Sequence, residues 1–225
     1  RVHKVITTDG EEIDCQIVGI CTGVQPNIEF LADTGIETNR GILVNEYLET
    51  NIPGIYAAGD CAEVRKPRTG RRGLEPVWYA GRMMGEVLGP TLAGNPTPYK
   101  PGPWFNSAKF FDIEYQNYGN VSPRPSENEK HYFWNGGQNR FITVAYHPET
   151  KKFMGINTFG IRMRHAYFDK ALSKEWEVGK VVSGIGAANF NPEFYKKWVR
   201  KFQSDFESET GIKGNKNILK KIRSK

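Results

Sequence analysis

Cysteine is scarce in this 225-residue chain: Cys15, Cys21 and Cys61 are the only three, and no two form a CxxC pair. That argues against a disulfide scaffold and against a paired-thiol redox motif within the segment. It fits a reducing compartment, taken as the cytoplasm. Long apolar runs are missing too. Hydrophobic residues make up 38% of the chain, and no run approaches the roughly 20 residues that cross a bilayer. No signal peptide is visible. The four histidines stand in no His/Cys/Asp cluster with metal-ligand spacing, so no metal is expected. A GxGxxG loop, which would hold a pyrophosphate at a helix start, is also lacking. The nearest stretch, Gly184-Ile185-Gly186-Ala187-Ala188-Asn189, ends in Asn, and Pro192 follows too soon for an ordinary βα unit.

Excess charge is confined to one end. The net charge is +6, and Gly211 to Lys225 (GIKGNKNILKKIRSK) holds six basic residues and no acid, leaving 25 basic against 25 acidic residues elsewhere. A basic tail can bind nucleic acid or an acidic membrane. Such termini are more often solvated or docked. Ile218, Leu219 and Ile222, at helical spacing, favour a short amphipathic helix that docks on its own protein or a partner, and nucleic acid is the lesser expectation. The loop Arg65 to Gly73 (RKPRTGRRG) is basic as well. It could flank a phosphate or an acidic partner, but its default is a solvated loop.

What is present is most informative between Leu48 and Glu63, LETNIPGIYAAGDCAE. Gly54 to Ala58 reads as a short strand that breaks into a turn at Gly59-Asp60. Gly59 has no Cβ, so a ligand can pass close to its backbone. Asp60 would then place a carboxylate at the C-terminal end of a strand, where open α/β sheets bind ligands. A carboxylate there can accept hydrogen bonds from sugar-type hydroxyls. The plainer reading is an ordinary strand-turn with a polar stop.

Thr50, Pro53, Ile55, Tyr56, Ala57, Gly59 and Asp60 together resemble the second flavin-binding motif of the FAD-dependent pyridine nucleotide-disulfide oxidoreductases. The upstream CTGVQPN, Cys21 to Asn27, resembles the segment where that family's chain returns from its NAD(P) domain to its FAD domain; Gln25 stands where members often have Arg. The rubredoxin, ferredoxin, nitrite and coenzyme A-disulfide reductases are the nearest types. The resemblance implies FAD and NAD(P)H as cofactors and Asp60 as the ligand of the FAD ribityl chain, with Gly59 making room. Gly23, in the return segment, is implied at the cofactor as well. It also implies that both GxGxxG loops precede this segment, which would then be the C-terminal part of a longer reductase and inactive alone. No catalytic residue is assigned, and Cys61, beside the expected flavin site, reads as a bystander.

Local patterns divide the chain. Residues 1–20 look like a hairpin around Asp9-Gly10, with Val2 to Thr8 β-rich and Ile13 to Ile20 apolar and β-branched. By resemblance this is the end of the NAD(P)-binding domain. Residues 21–93 would be the C-terminal part of the FAD-binding domain, with a short helix over Ile28 to Thr34 and a strand over Ile42 to Val44. A further helix is expected from about Glu75 to Leu88. Pro76 suits its first turn, and Val77, Ala80, Met84 and Val87 share one face. By resemblance its start, Glu75, Pro76, Val77 and Trp78, faces the pyrimidine edge of the flavin, where free N–H groups and the helix dipole favour negative charge.

Residues 94–103, rich in Pro and Gly, read as a linker. The opening of 104–206, WFNSAKFFDIEYQNYG, resembles that of the family's C-terminal interface domain, which implies a homodimer. Its aromatics fit core and interface better than base stacking. Ala108 to Tyr115, Phe141 to Tyr146 and Lys152 to Phe159 look strand-like, the last two as a hairpin. Ala166 to Leu172 and Pro192 to Phe206 look helical, and 207–225 is the basic tail. His147-Pro148-Glu149-Thr150 resembles the His-Pro-Thr of disulfide reductases, yet its place between two strands favours a hairpin turn. His165, in a polar stretch, is a lesser candidate for contact with flavin or substrate.

The expected fold is thus α/β, part of a two-dinucleotide-binding-domain flavoprotein, followed by an α+β C-terminal interface domain. The expected function is passage of hydride from NAD(P)H to FAD and of electrons to an acceptor, a small protein or small molecule. The rival is a non-catalytic interaction or oligomerisation module.

Overall fold

The computed structural model describes residues 1–68, 70–190 and 192–214, and side chains 192–197 are outside that description. The helix expected around Ile218, Leu219 and Ile222 falls outside the described residues. The N-terminal hairpin forms from β1 (Lys4–Ile6) and β2 (Glu12–Asp14), antiparallel with Lys4 opposite Asp14. Its connection runs over Thr8, Asp9 and Gly10 and is no two-residue turn. Thr7 N–H donates to the Glu11 carbonyl, Gly10 N–H to the Thr7 carbonyl, and Gly10 takes a φ of +88°, a conformation glycine adopts without strain. β2 stops at Asp14 and does not run on to Ile20, because β1 offers no further partner. Ile17 and Ile20 therefore lie exposed.

The next unit is built on a parallel pair, β3 (Ile42–Val44) and β4 (Ala62–Val64), with Ile42 opposite Ala62. The helix expected over Ile28 to Thr34 shrinks to a single 3-10 turn, Glu29–Leu31. Gly54 to Ala58 is not a strand. Among the described residues its only ladder contact is a bridge between Glu49 and Tyr56, and the Ala57 and Thr50 N–H groups bond back to Leu48 and Ile55 within the same loop. The strand comes after Asp60 instead, as β4. Behind the pair, Val44, Leu48, Ala62, Met84 and Tyr99 form a small apolar core. Tyr99 belongs to the linker segment, so that segment is pinned to the core; its N–H donates to the Glu46 carbonyl at 2.7 Å.

Helix α1 runs from Trp78 to Leu92, starting and ending later than the periodicity predicts. Pro76 biases Glu75 towards extended backbone, and Val77, at φ −137° and ψ 144°, becomes the cap. Pro90 sits in the last turn and does not stop the helix. Ala80 and Met84 are buried, and Val77 and Val87 are half-buried on the same side.

The C-terminal part is an antiparallel sheet in the order β5-β6-β9-β8-β7. The strands are β5 (Phe105–Phe110), β6 (Ile113–Gly119), β7 (Lys130–Asn135), β8 (Phe141–Tyr146) and β9 (Phe153–Phe159). Ala108 to Tyr115 is therefore not one strand but a hairpin, turned at Phe111 (φ +49°) and Asp112. Period-2 alternation sends Tyr118, Ile142, Val144 and Ile156 to one face. There α2 (His165–Ser173), α3 (Val178–Ser183) and α4 (Pro192–Thr210) cover them with Phe168, Val181, Phe202 and Phe206. The glycine stretch at 184–189 forms a 3-10 turn, Ile185–Ala187, with Ile185 and Ala188 wholly buried, so it is core and no phosphate cradle. His147 caps the β8–β9 turn, its Nδ1 accepting from the Glu149 and Thr150 N–H groups.

The opposite face carries an aromatic band across all five strands. Phe110 stacks on Tyr115 with centroids 5.8 Å apart, Tyr115 on Phe159 at 5.6 Å, and Phe133 on Phe141 at 6.0 Å. Phe141 lies directly opposite Phe159 in the β8–β9 register. Phe110, Phe133 and Phe159 are all exposed.

Candidate functional site

The Gly59-Asp60 turn lies just before β4, closed by the Ala62 N–H donating to the Gly59 carbonyl at 3.0 Å. Asp60 thus does not cap the C-terminal end of a strand, as its sequence context suggests; it leads into one. Gly59 takes φ +88°, and its N–H points at the Met84 sulfur, 3.3 Å away. A Cβ on Gly81 would lie 3.5 Å from the Gly59 Cα, so the helix packs directly on this turn. The Asp60 carboxylate is exposed and has no hydrogen-bond partner among the described residues. Its neighbour Glu63 is the reverse case. Glu63 is buried and accepts from Asn39 Nδ2 and from the Arg40 and Gly41 N–H groups. One acid of the motif is structural, and the other faces solvent.

A second group forms where α1 begins. Glu75, Pro76 and Val77 line a cavity of about 560 Å³ whose other walls are Arg71, Trp104, Asn117 and Asn157. Asn117 and Asn157 face each other across the β6–β9 register. The start of α1 has no side-chain cap; the Ala80 and Gly81 N–H groups bond the Val77 carbonyl, which leaves those of Trp78 and Tyr79 without an acceptor among the described residues. Trp78 is 70% exposed and carries Arg82 over its ring at 5.8 Å. Tyr79 packs on Phe105 at 5.0 Å, and Phe105 on His165 at 4.4 Å, which ties the helix start to the C-terminal sheet. His165 acts here as an aromatic spacer between Phe105 and Tyr118. Burial pushes the Tyr118 hydroxyl up to about 12, so it stays protonated and donates to the Met163 carbonyl.

Composition predicts a solvated basic loop, yet the Arg71 side chain within it is 3% exposed. Its Nη2 pairs with Glu75, its Nη1 donates to the Pro103 carbonyl at 3.4 Å, and its guanidinium lies over Trp104 at 5.2 Å. The Arg72 N–H gives Glu75 a further bond at 3.0 Å. The Glu75 carboxylate is thereby engaged internally and neutralised, and it does not cancel the positive end of α1. No local signal marks Arg71; its partners at 103 and 104 are distant in sequence.

The Gly59-Asp60 turn is therefore packed against α1, the helix whose start forms the second group. Gly23 is not: it is exposed at φ +96°, and no hydrogen bond or core cluster joins it to either group. The cysteines are unpaired; Cys61 is half-buried. Among the described residues there is no group of three His, Cys, Asp or Glu that could hold a metal, and no helix is long and apolar enough to cross a membrane.

The family model of the pyridine nucleotide-disulphide oxidoreductases matches residues 1–85. The chain is 32% identical over 175 residues to the NAD(P)H sulfur oxidoreductase (CoA-dependent) of Pyrococcus furiosus, covering 71% of this chain and 39% of that protein. It is 47% identical over 95 residues to the rubredoxin-NAD(+) reductase of Acinetobacter baylyi, covering 42% of this chain and 23% of the relative. Among solved structures, a ferredoxin reductase from Rhodopseudomonas palustris shares the fold with a TM-score of 0.68 at 24% identity, over 88% of this chain and 46% of the other. The chain thus spans less than half the length of these relatives. The matched segment includes the Cys21–Asn27 return, the Gly59-Asp60 turn and the start of α1, and over it the chain is similar to the pyridine nucleotide-disulphide oxidoreductases.

Proposed function

We propose that this chain supplies the flavin-side and C-terminal portion of an FAD-dependent NAD(P)H oxidoreductase. The observation that carries the reading is an exposed, unpartnered Asp60 carboxylate on a Gly59 turn packed against the same helix whose uncapped start borders a 560 Å³ cavity. FAD, when bound, would supply the hydride acceptor and pass electrons on. Asp60 would accept from ribityl hydroxyls, and Gly59, with nothing within 4 Å of the Cβ position, leaves room beside it. The Trp78 and Tyr79 N–H groups, which follow Glu75, Pro76 and Val77, would stabilise negative charge gathered at the ring's pyrimidine edge. Trp78, exposed at the same helix start, would shield that edge. The acceptor is proposed as a small electron-transfer protein or small molecule. In domain terms, residues 1–20 would close the NAD(P)-binding domain, which accounts for their uncovered apolar side chains. Residues 21–93 would belong to the FAD-binding domain and 104–206 to the interface domain.

Asp60 is tested on the full-length protein by FAD titration, followed by visible absorbance and fluorescence anisotropy. Loss of one hydrogen bond to a charged acceptor costs about 1.5–3 kcal/mol, so Asp60→Ala should weaken FAD binding roughly tenfold or more. Unchanged retention would remove Asp60 from the site.

A second reading concerns assembly. The aromatic band from Phe110 to Phe133 is an apolar stripe whose Phe110, Phe133 and Phe159 rings are exposed, the kind of surface that marks an interface. We infer that it serves as the contact of a homodimer. Phe159→Lys should then shift the protein to the monomer in gel filtration across a dilution series, while an unchanged elution profile rules the band out.

A further inference from the structure

The cavity at the start of α1 has two unlike walls. The helix side donates: its free groups are the Trp78 and Tyr79 N–H, and its acid, Glu75, is already held by the Arg71 side chain and the Arg72 N–H. The opposite wall comes from the C-terminal sheet and carries Asn117 of β6 and Asn157 of β9. Strand alternation sets where these two side chains point. Gln116 and Tyr118 turn towards the helices, the first accepting from the Met163 N–H at 2.6 Å and the second stacked on Phe168. Ile156 and Thr158 are wholly buried on that same side. Asn117 and Asn157, lying between them, face the other way and line the cavity.

The two asparagines are direct partners in the β6–β9 ladder, which brings their Cβ atoms to about 4.5–5.5 Å. Both are half-buried, and neither carboxamide has a hydrogen-bond partner among the described residues. Two residues further along, the ladder pairs Gly119 with Gly155, so neither strand sets a side chain beside the carboxamides there. Each carboxamide offers two N–H donors and one carbonyl acceptor. A facing pair therefore matches a group in which carbonyls alternate with an N–H. A cyclic imide is such a group, and the pyrimidine ring of a flavin carries one: C2=O, N3–H and C4=O. Helix N–H groups can serve the carbonyls, but N3–H requires an acceptor. Apart from the exposed Asn120, Asn117 and Asn157 supply the side-chain acceptors on the described walls that nothing else engages.

We propose that Asn117 and Asn157 read the imide edge of the flavin, a carboxamide oxygen of the pair accepting from N3–H and a carboxamide N–H donating to a carbonyl beside it. This role rests on the cavity being the flavin's, and it extends the site from the turn at Asp60 and the start of α1 to the C-terminal sheet. The two walls then divide the work. The helix N–H groups meet negative charge, and the asparagines select the ring by its hydrogen-bonding pattern.

The test is titration of the full-length apoprotein with FAD and with N3-methyl-FAD, followed by fluorescence anisotropy. Methylation deletes the N3–H and leaves both carbonyls in place. The parent should bind N3-methyl-FAD about tenfold more weakly than FAD, since an acceptor on the wall is left unpaired. Combining Asn117→Ala with Asn157→Ala should weaken FAD roughly tenfold and bring the two flavins to within about twofold of each other. A pair with a merely structural role would weaken both flavins alike and keep the ratio between them; an unchanged ratio in the double variant therefore overturns the proposal. A parent that binds both flavins equally well keeps the flavin site and removes the asparagines from it. A parent that binds neither shows that the cavity is not the flavin's, and the role proposed for the pair goes with it. Should the double variant fail to fold, Asn117→Ser and Asn157→Ser decide singly, and an unchanged ratio in both refutes the pair.

Discussion

Replacing Arg71 with alanine should destabilise the protein by about 3–5 kcal/mol, because it leaves a buried carboxylate without its counter-charge. The Arg71 and Glu75 side chains are 3% and 6% exposed. After the substitution Glu75 keeps the Arg72 N–H but no cation, and the Trp104 face and the Pro103 carbonyl lose their contacts too. Urea unfolding followed by tryptophan fluorescence measures the loss. Arg82→Ala is the control, since Arg82 and Glu86 form an i,i+4 pair on the same helix with side chains 63% and 58% exposed. Exposed pairs of this kind are worth about 0.3–0.5 kcal/mol. If the two variants unfold at similar denaturant concentrations, Arg71 is not the buried clasp described. A double replacement, Arg71→Met with Glu75→Leu, should recover much of the loss, because it removes both charges at once.

The second large effect is expected at Phe168. This side chain on α2 is wholly buried, stacks on Tyr118 with centroids 4.8 Å apart, and meets Tyr167 edge-on at 5.2 Å. Phe168→Ala removes the transfer free energy of the ring and opens a cavity under the sheet, together about 3–5 kcal/mol. Phe111, 97% exposed at the β5–β6 turn, provides the contrast: Phe111→Ala should stay within about 0.5 kcal/mol. The melting temperatures of the two variants settle the matter. Comparable melting would mean that α2 does not seal the core.

Elements set by local pattern were legible in the sequence. β8, β9, α2 and α4 follow from apolar periodicity, and Asp9-Gly10 marks the hairpin of β1 and β2, though its turn takes in Thr8 and its second strand stops at Asp14. Elements set by distant partners were not. β5 and β6 are split by a turn at Phe111-Asp112, where an aromatic residue adopts φ +49°, and residue type gives no hint of it. β7 was not anticipated. Ile55 to Ala58 has strand composition, but its backbone bonds go to its own loop. At the candidate site the Gly59-Asp60 turn was readable, because glycine and an acid carry their geometry with them. The burial of Arg71 was not, because a bond to Pro103 spans 32 residues and the surrounding basic loop looks uniformly solvated.

The Arg71–Glu75 clasp is also a partition. Arg71, Arg72 and Glu75 line both the cavity at the start of α1 and a second one of about 390 Å³ bordered by Lys66, Tyr99 and Lys100. A guest that draws on Arg71 from one side changes the charge felt on the other, with no movement of the backbone required. Equilibrium then imposes symmetry: the factor by which one guest alters the other's affinity is the factor returned. Two rooms share one wall here, and neither can be furnished without the other registering it.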